Sequence, residues 1–154
     1  MPLHQFIDRL ERYCRNLGVS VERRTMHVHV LGCTEADRIV LGTRLSKEQQ
    51  VMTLAHEITH LLVHHNANPR IDRTVCEYEA HAVEGLVGAG LGLRGCVCRS
   101  AEAGELTDDL LATSVERVKR VSAILIGAAL GRDSPRSVQP ARGADRRPDP
   151  GSAQ

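Results

Sequence analysis

The stretch SKEQQVMTLAHEITHLLVHH, residues 46 to 65, decides how the rest of the chain is read. Ser46 is a good helix N-cap, and Gln49 stands three residues later, where a capping box places Glu or Gln. Val51, Leu54, Ala55, Ile58, Leu61 and Leu62 recur at helical spacing, as on a helix that buries one face. Within it, His56 and His60 are four residues apart. That interval sets two imidazoles on one face about one turn apart, where both reach a single ion. Neutral imidazole suits zinc. Glu57, beside the first histidine, is angled to reach a water activated by the ion rather than the ion itself. The pattern points to metal-assisted hydrolysis of a carbonyl compound, with Glu57 as general base and later proton shuttle.

Two histidines leave such a site short of a third protein ligand. The next cluster, Cys76-Glu77-Tyr78-Glu79-Ala80-His81, falls on a helix expected from Thr74 to Leu86 or beyond. Glu77 and His81 share a face of it, whereas Glu79 lies about 200° from Glu77 around the axis. Glu77 and His81 are therefore both candidates, and His81 could instead orient His56 or His60. His64 continues the series His56, His60, His64 and reads as a packing or orienting residue.

Outward from these helices, Leu3 to Leu17 carries Phe6, Ile7, Leu10, Tyr13, Cys14 and Leu17 at helical spacing, with Gly18 as its stop. Strand-like alternation follows at Val19 and Val21 and at Met26, Val28 and Val30, and Ile39 to Leu41 is a third short candidate. His27 and His29 would share one polar strand face. Gly88, Gly90, Gly92 and Gly95 are expected to break regular structure, and a last helix opens at Thr107 with Leu111, Val115, Val118, Ser122 and Leu125 on one face. The fold class expected is α+β: a small antiparallel sheet beside a helical core that carries the His56–His60 helix. Residues 1–132 read as one domain. Residues 133–154, rich in Pro, Arg, Gly, Ser and Asp, read as a disordered tail.

Composition narrows the classes further. The chain has 154 residues, a formal net charge of +1, one Phe, two Tyr and no Trp. The core must come from Leu, Val, Ile and Ala, and direct binding of nucleic acid is not expected. Five cysteines at irregular spacing argue against a secreted disulfide framework. Cys96 and Cys98 lack a second pair for a zinc ribbon. With no apolar run of about twenty residues and no leader-like start, neither a membrane span nor export is expected. A cytoplasmic protein is the simplest reading.

The second-helix cluster is similar to the ExxAD segment of the gluzincins, zinc peptidases with an acidic third ligand. There the first Glu binds metal and the residue four later supports a ligating histidine. The corresponding residues here are Glu77 and His81, which implies Glu77 as third ligand. Taken together, HEITHLLVH from His56 to His64 and EYEAHAVE from Glu77 to Glu84 resemble the ImmA/IrrE metallopeptidases, whose pattern is close to HEhGHxLLH followed by ExEA[ND]xFA. The resemblance covers roughly Leu3 to Leu86. It implies a small cytoplasmic zinc endopeptidase of bacteria, phages or mobile elements, with His56, His60 and Glu77 as metal ligands and Glu57 catalytic. It also implies a protein substrate, a helix-turn-helix repressor encoded nearby, whose cleavage regulates transcription. His81 in place of Asn or Asp, Val83 in place of Phe and Glu84 in place of a small residue depart from that pattern. The reading from a different class is a zinc-bound interaction or toxin–antitoxin module that binds its partner without cutting it.

Overall fold

A computed structural model of the chain describes residues 1–35, 37–64, 72–93 and 108–132. Helix α1 (Leu3–Asn16) is followed by strands β1 (Ser20–Arg24), β2 (Gly32–Glu35) and β3 (Arg38–Gly42), then by α2 (Lys47–Thr59), which runs into a π-helical turn (His60–His64). Helices α3 (Arg73–Gly90) and α4 (Asp108–Leu130) complete the described elements. The class is α+β, as the sequence implies.

The sheet has the order β1-β3-β2. It is mixed rather than antiparallel throughout: β2 runs antiparallel to β3, and β1 runs parallel to it. The chain crosses from β1 to the far side of β3 before it turns back, so β3 is central. Ile39, Val40 and Leu41 are accordingly fully buried, the pattern of a strand covered on both faces. The alternation at Met26, Val28 and Val30 does not form a strand. It forms a loop with a turn closed by Val30 N–H donating to the His27 carbonyl at 2.9 Å. His27 and His29 are exposed there, their rings 5.6 Å apart. The strand begins instead at Gly32. A side chain there would meet Thr53 Cγ2 at 2.7 Å and the Val40 carbonyl at 3.1 Å, so glycine lets β2 lie directly against α2.

Helix α1 buries Phe6, Ile7, Leu10 and Cys14 and ends before Gly18, whose φ is 80°. Helix α2 starts at the expected capping box: Gln49 N–H donates to Ser46 Oγ at 3.2 Å, and Ser46 N–H to Gln49 Oε1 at 2.9 Å. Its Val51, Leu54, Ala55 and Ile58 are fully buried at the centre of the core. Asp72, not Thr74, caps α3, its side chain accepting from Thr74 N–H at 2.9 Å. Gly88 and Gly90 do not break α3. At Gly90 an added Cβ would come 2.6 Å from Ile126 Cδ1 of α4, so the bare backbone serves close helix packing. The buried face of α4 is Ser114, Val118, Val121, Ser122, Leu125 and Ala129, leaving Leu111 and Val115 partly in solvent. Cys96, Cys98 and the tail 133–154 lie outside the described residues.

Candidate metal centre

Helices α2 and α3 lie against each other and bring the two sequence clusters together. His56 Nε2 lies 3.1 Å from His60 Nε2, and the Glu77 carboxylate lies 3.6 Å from the first and 3.7 Å from the second. One donor atom from each of His56, Glu77 and His81 also falls within 4.8 Å of the other two. The residues singled out on the two helices therefore share one site.

With each imidazole neutral, the hydrogen-bond partners imply which nitrogens carry protons. His64 Nε2 lies 3.1 Å from Glu79 Oε2, a carboxylate that only accepts, so His64 donates there. Its Nδ1 is left as an acceptor and faces His60 Nδ1 at 3.0 Å, which must then donate. That leaves His60 Nε2 with a bare lone pair. On the other side, His56 Nδ1 lies 3.3 Å from Glu84 Oε2 and donates to it, which bares His56 Nε2 in turn. Two lone pairs and the Glu77 carboxylate converge with no donor among them. Such an arrangement calls for a cation. Donors about 2.1 Å from a tetrahedral zinc are about 3.4 Å apart; the two imidazole nitrogens are 3.1 Å apart, and the carboxylate faces them with one oxygen each, Oε2 3.6 Å from His56 and Oε1 3.7 Å from His60.

Titration behaviour follows from the same groups. Burial, followed by the positive charge His56 can carry, pushes His60 down to about 4, which keeps it neutral. Burial also pulls His56 down, but its hydrogen bond to Glu84 and the carboxylates of Glu57, Glu84 and Glu77 outweigh this, and its pKa is raised. Burial raises Glu57, partly offset by the Thr34 hydroxyl, which donates to Glu57 Oε2 at 2.8 Å.

The π-helical turn explains why three histidines stay in line. Along an α-helix, residues four apart drift by about 40° per step, which would carry His64 about 80° from His56. The wider i→i+5 turn reverses that drift between 60 and 64, and the rings of His60 and His64 stay 5.1 Å apart. At the junction, Thr59 Oγ1 donates to the Ala55 carbonyl at 2.8 Å, a side-chain bond competing with the helix ladder.

Glu79 faces away from the site, as its helical phase requires. It is nevertheless a hub: it is 1% exposed and accepts from Ser114 Oγ at 2.6 Å, from Arg117 Nε at 3.0 Å and from His64. Burial alone would raise its pKa, but the bonds from His64, Arg117 and Ser114 hold it down to about 2. Through His64 it fixes His60. Sequence reading missed Thr34, Glu84 and Arg117. Only the departure of Glu84 from the family pattern was a signal for any of them.

Among the described residues, no helix is long and apolar enough to cross a membrane. No curated protein and no solved structure was found to match the chain. The family model for the IrrE N-terminal-like domain, Peptidase_M78, matches residues 14–90, which include β1 to β3, α2 with its π-helical turn, and all of α3. With its converging histidines and carboxylate inside that span, the chain belongs to the Peptidase_M78 family of metallopeptidases.

Proposed function

We propose that the protein is a zinc-dependent endopeptidase that cuts a partner protein in the cytoplasm, a helix-turn-helix repressor encoded nearby being the expected substrate. The observation that carries the zinc reading is the convergence of His56 Nε2, His60 Nε2 and the Glu77 carboxylate with no hydrogen-bond donor among them. The repressor and the regulatory role rest on the family resemblance.

When bound, zinc supplies a Lewis acid that polarises the scissile carbonyl and acidifies a water. The protein's own groups do the rest. His60 is held neutral by burial and presented by the His64–Glu79 relay. His56 is presented by Glu84. Glu57 stands beside His56, and its carboxylate is fixed by Thr34 on β2. Its burial makes the carboxylate a stronger base than a solvated one, suited to taking the water's proton and passing it to the leaving amine. Strand β2 is one of the two edge strands, and Thr34 on it reaches the Glu57 carboxylate. An extended peptide added to this edge runs past the site with its carbonyl presented.

Wild type and Glu57→Gln, both loaded with zinc, should be incubated with the neighbouring gene product and the fragments identified by mass spectrometry. One or a few defined cuts by wild type alone, with equal zinc in both proteins, is the expected result. Tight binding by both without any cut would replace the peptidase by a non-catalytic interaction or toxin–antitoxin module.

A further inference from the structure

The triad proposed above leaves His81 without a role, although His81 lies against it and shares Glu84 with His56. His81 and Glu84 are on α3, one turn apart, and 28% and 20% of their side chains are exposed. Glu84 Oε2 lies 3.2 Å from His81 Nδ1 and 3.3 Å from His56 Nδ1. A carboxylate oxygen has two lone pairs, so this one atom accepts from both rings. Both imidazoles are thereby fixed in the same tautomer, with Nδ1 protonated and Nε2 bare. Their ring centroids are 4.6 Å apart. His81 also offers a donor atom within 4.8 Å of donor atoms from His56 and Glu77.

We propose that Glu84 is the shared positioning residue for His56 and His81, and that His81 is a fourth protein donor to the metal held by His56, His60 and Glu77. This rests on the zinc reading above. A carboxylate hydrogen-bonded to a ligating imidazole fixes its orientation and raises its basicity. Here one carboxylate does so for two rings, one on each helix, and so ties α2 to α3 at the metal. A fourth protein donor takes the position at which a catalytic zinc keeps its water. The resting site is therefore closed, and it opens when His81 leaves the ion while still hydrogen-bonded to Glu84. Substrate or partner binding that displaces His81 would make the activity conditional.

Zinc affinity should be measured by chelator competition for wild type, His81→Ala, His81→Asn, Glu84→Ala and the double variant His81→Ala/Glu84→Ala. Melting of each metal-free form serves as the control for folding. In parallel, the cobalt(II) forms should be titrated with azide, which binds an open coordination position and changes the visible spectrum. Both His81 variants should lose at least tenfold in zinc affinity, and their cobalt spectra should respond to azide at concentrations that leave wild type unchanged. Glu84→Ala should lose about 10–100-fold. The double variant should bind more weakly than His81→Ala alone, because Glu84 still serves His56. Unchanged zinc affinity in both His81 variants, or identical azide responses in wild type and His81→Ala, would overturn the fourth donor. Equal affinity of the double and His81→Ala would overturn the anchoring of His56. A wild type that binds no zinc would remove the metal reading itself, a result separable from either.

Discussion

Replacing Arg117 by Met tests whether the buried Glu79 hub joins α4 to the metal helices. Glu79 is 1% exposed, and Arg117 reaches both of its oxygens through Nε, at 3.0 and 3.2 Å. Methionine keeps much of the apolar stem but removes the charge and its hydrogen bonds. Glu79 would then keep only Ser114 and His64. Removing one partner of a buried ion pair costs about 3–5 kcal/mol, because the remaining charge is left uncompensated. The Arg117 side chain is 24% exposed, so water reaches part of the gap, and the lower end, about 3 kcal/mol, is expected. Against a total stability of about 5–15 kcal/mol, this should lower Tm by about 10 °C for a domain of this size. The chain has no Trp, so urea unfolding should be followed by far-UV circular dichroism. Glu79→Gln and the double variant Glu79→Gln/Arg117→Met complete a cycle. The double should be less destabilised than the sum of the singles by about 2 kcal/mol, since neither charge is then stranded. A loss below about 1 kcal/mol for Arg117→Met, or additivity within about 0.5 kcal/mol, would refute the hub.

Three further outcomes follow from single contacts. Thr34→Val removes the 2.8 Å bond that fixes Glu57; a hydrogen bond to a charged group is worth about 1.5–3 kcal/mol, so turnover should fall about ten- to a hundredfold with zinc content unchanged. Gly32→Ala forces a methyl against Thr53 and the Val40 carbonyl and should cost about 1–3 kcal/mol in urea unfolding; a neutral result would mean that β2 does not lie on α2. Burial, followed by the nearby charge of Glu11, pushes the Cys14 thiol from 9.0 up to about 12. The folded state keeps the proton longer than the unfolded one, so this contribution is whole below pH 9 and is lost as pH rises towards 12, by about 1.4 kcal/mol at pH 10. Cys14→Val should flatten that alkaline limb of the stability profile, and an unchanged slope would show that Cys14 does not cause it.

Much of the site was legible along the chain because helical spacing is local information. The Ser46–Gln49 box, the buried stripe of α2, the pairing of His56 with His60 and the opposite facing of Glu77 and Glu79 all follow from 3.6 residues per turn. The α1 core face and the Gly18 stop were read in the same way. Strands were less legible. Met26, Val28 and Val30 alternate as a strand would, but alternation does not specify a partner, and β3 takes the segment from Gly32 instead. Gly32 looks like a turn residue until α2 is seen lying on it.

The sequence by itself determined the helix that carries the site, the residues able to meet a metal and the family to which they belong, since each depends on neighbours within one or two turns. The tertiary structure alone decided what orients those residues. Thr34 reaches Glu57 across 23 positions, and Arg117 reaches Glu79 across 38. Both depend on how separate elements pack. Even Glu84, seven residues beyond Glu77 on the same helix, acquires its partner His56 only when α3 lies along α2. The tautomers, and with them the bare lone pairs that call for a cation, belong to that assembled network. No spacing in the chain encodes a hydrogen bond whose two ends are brought together by packing.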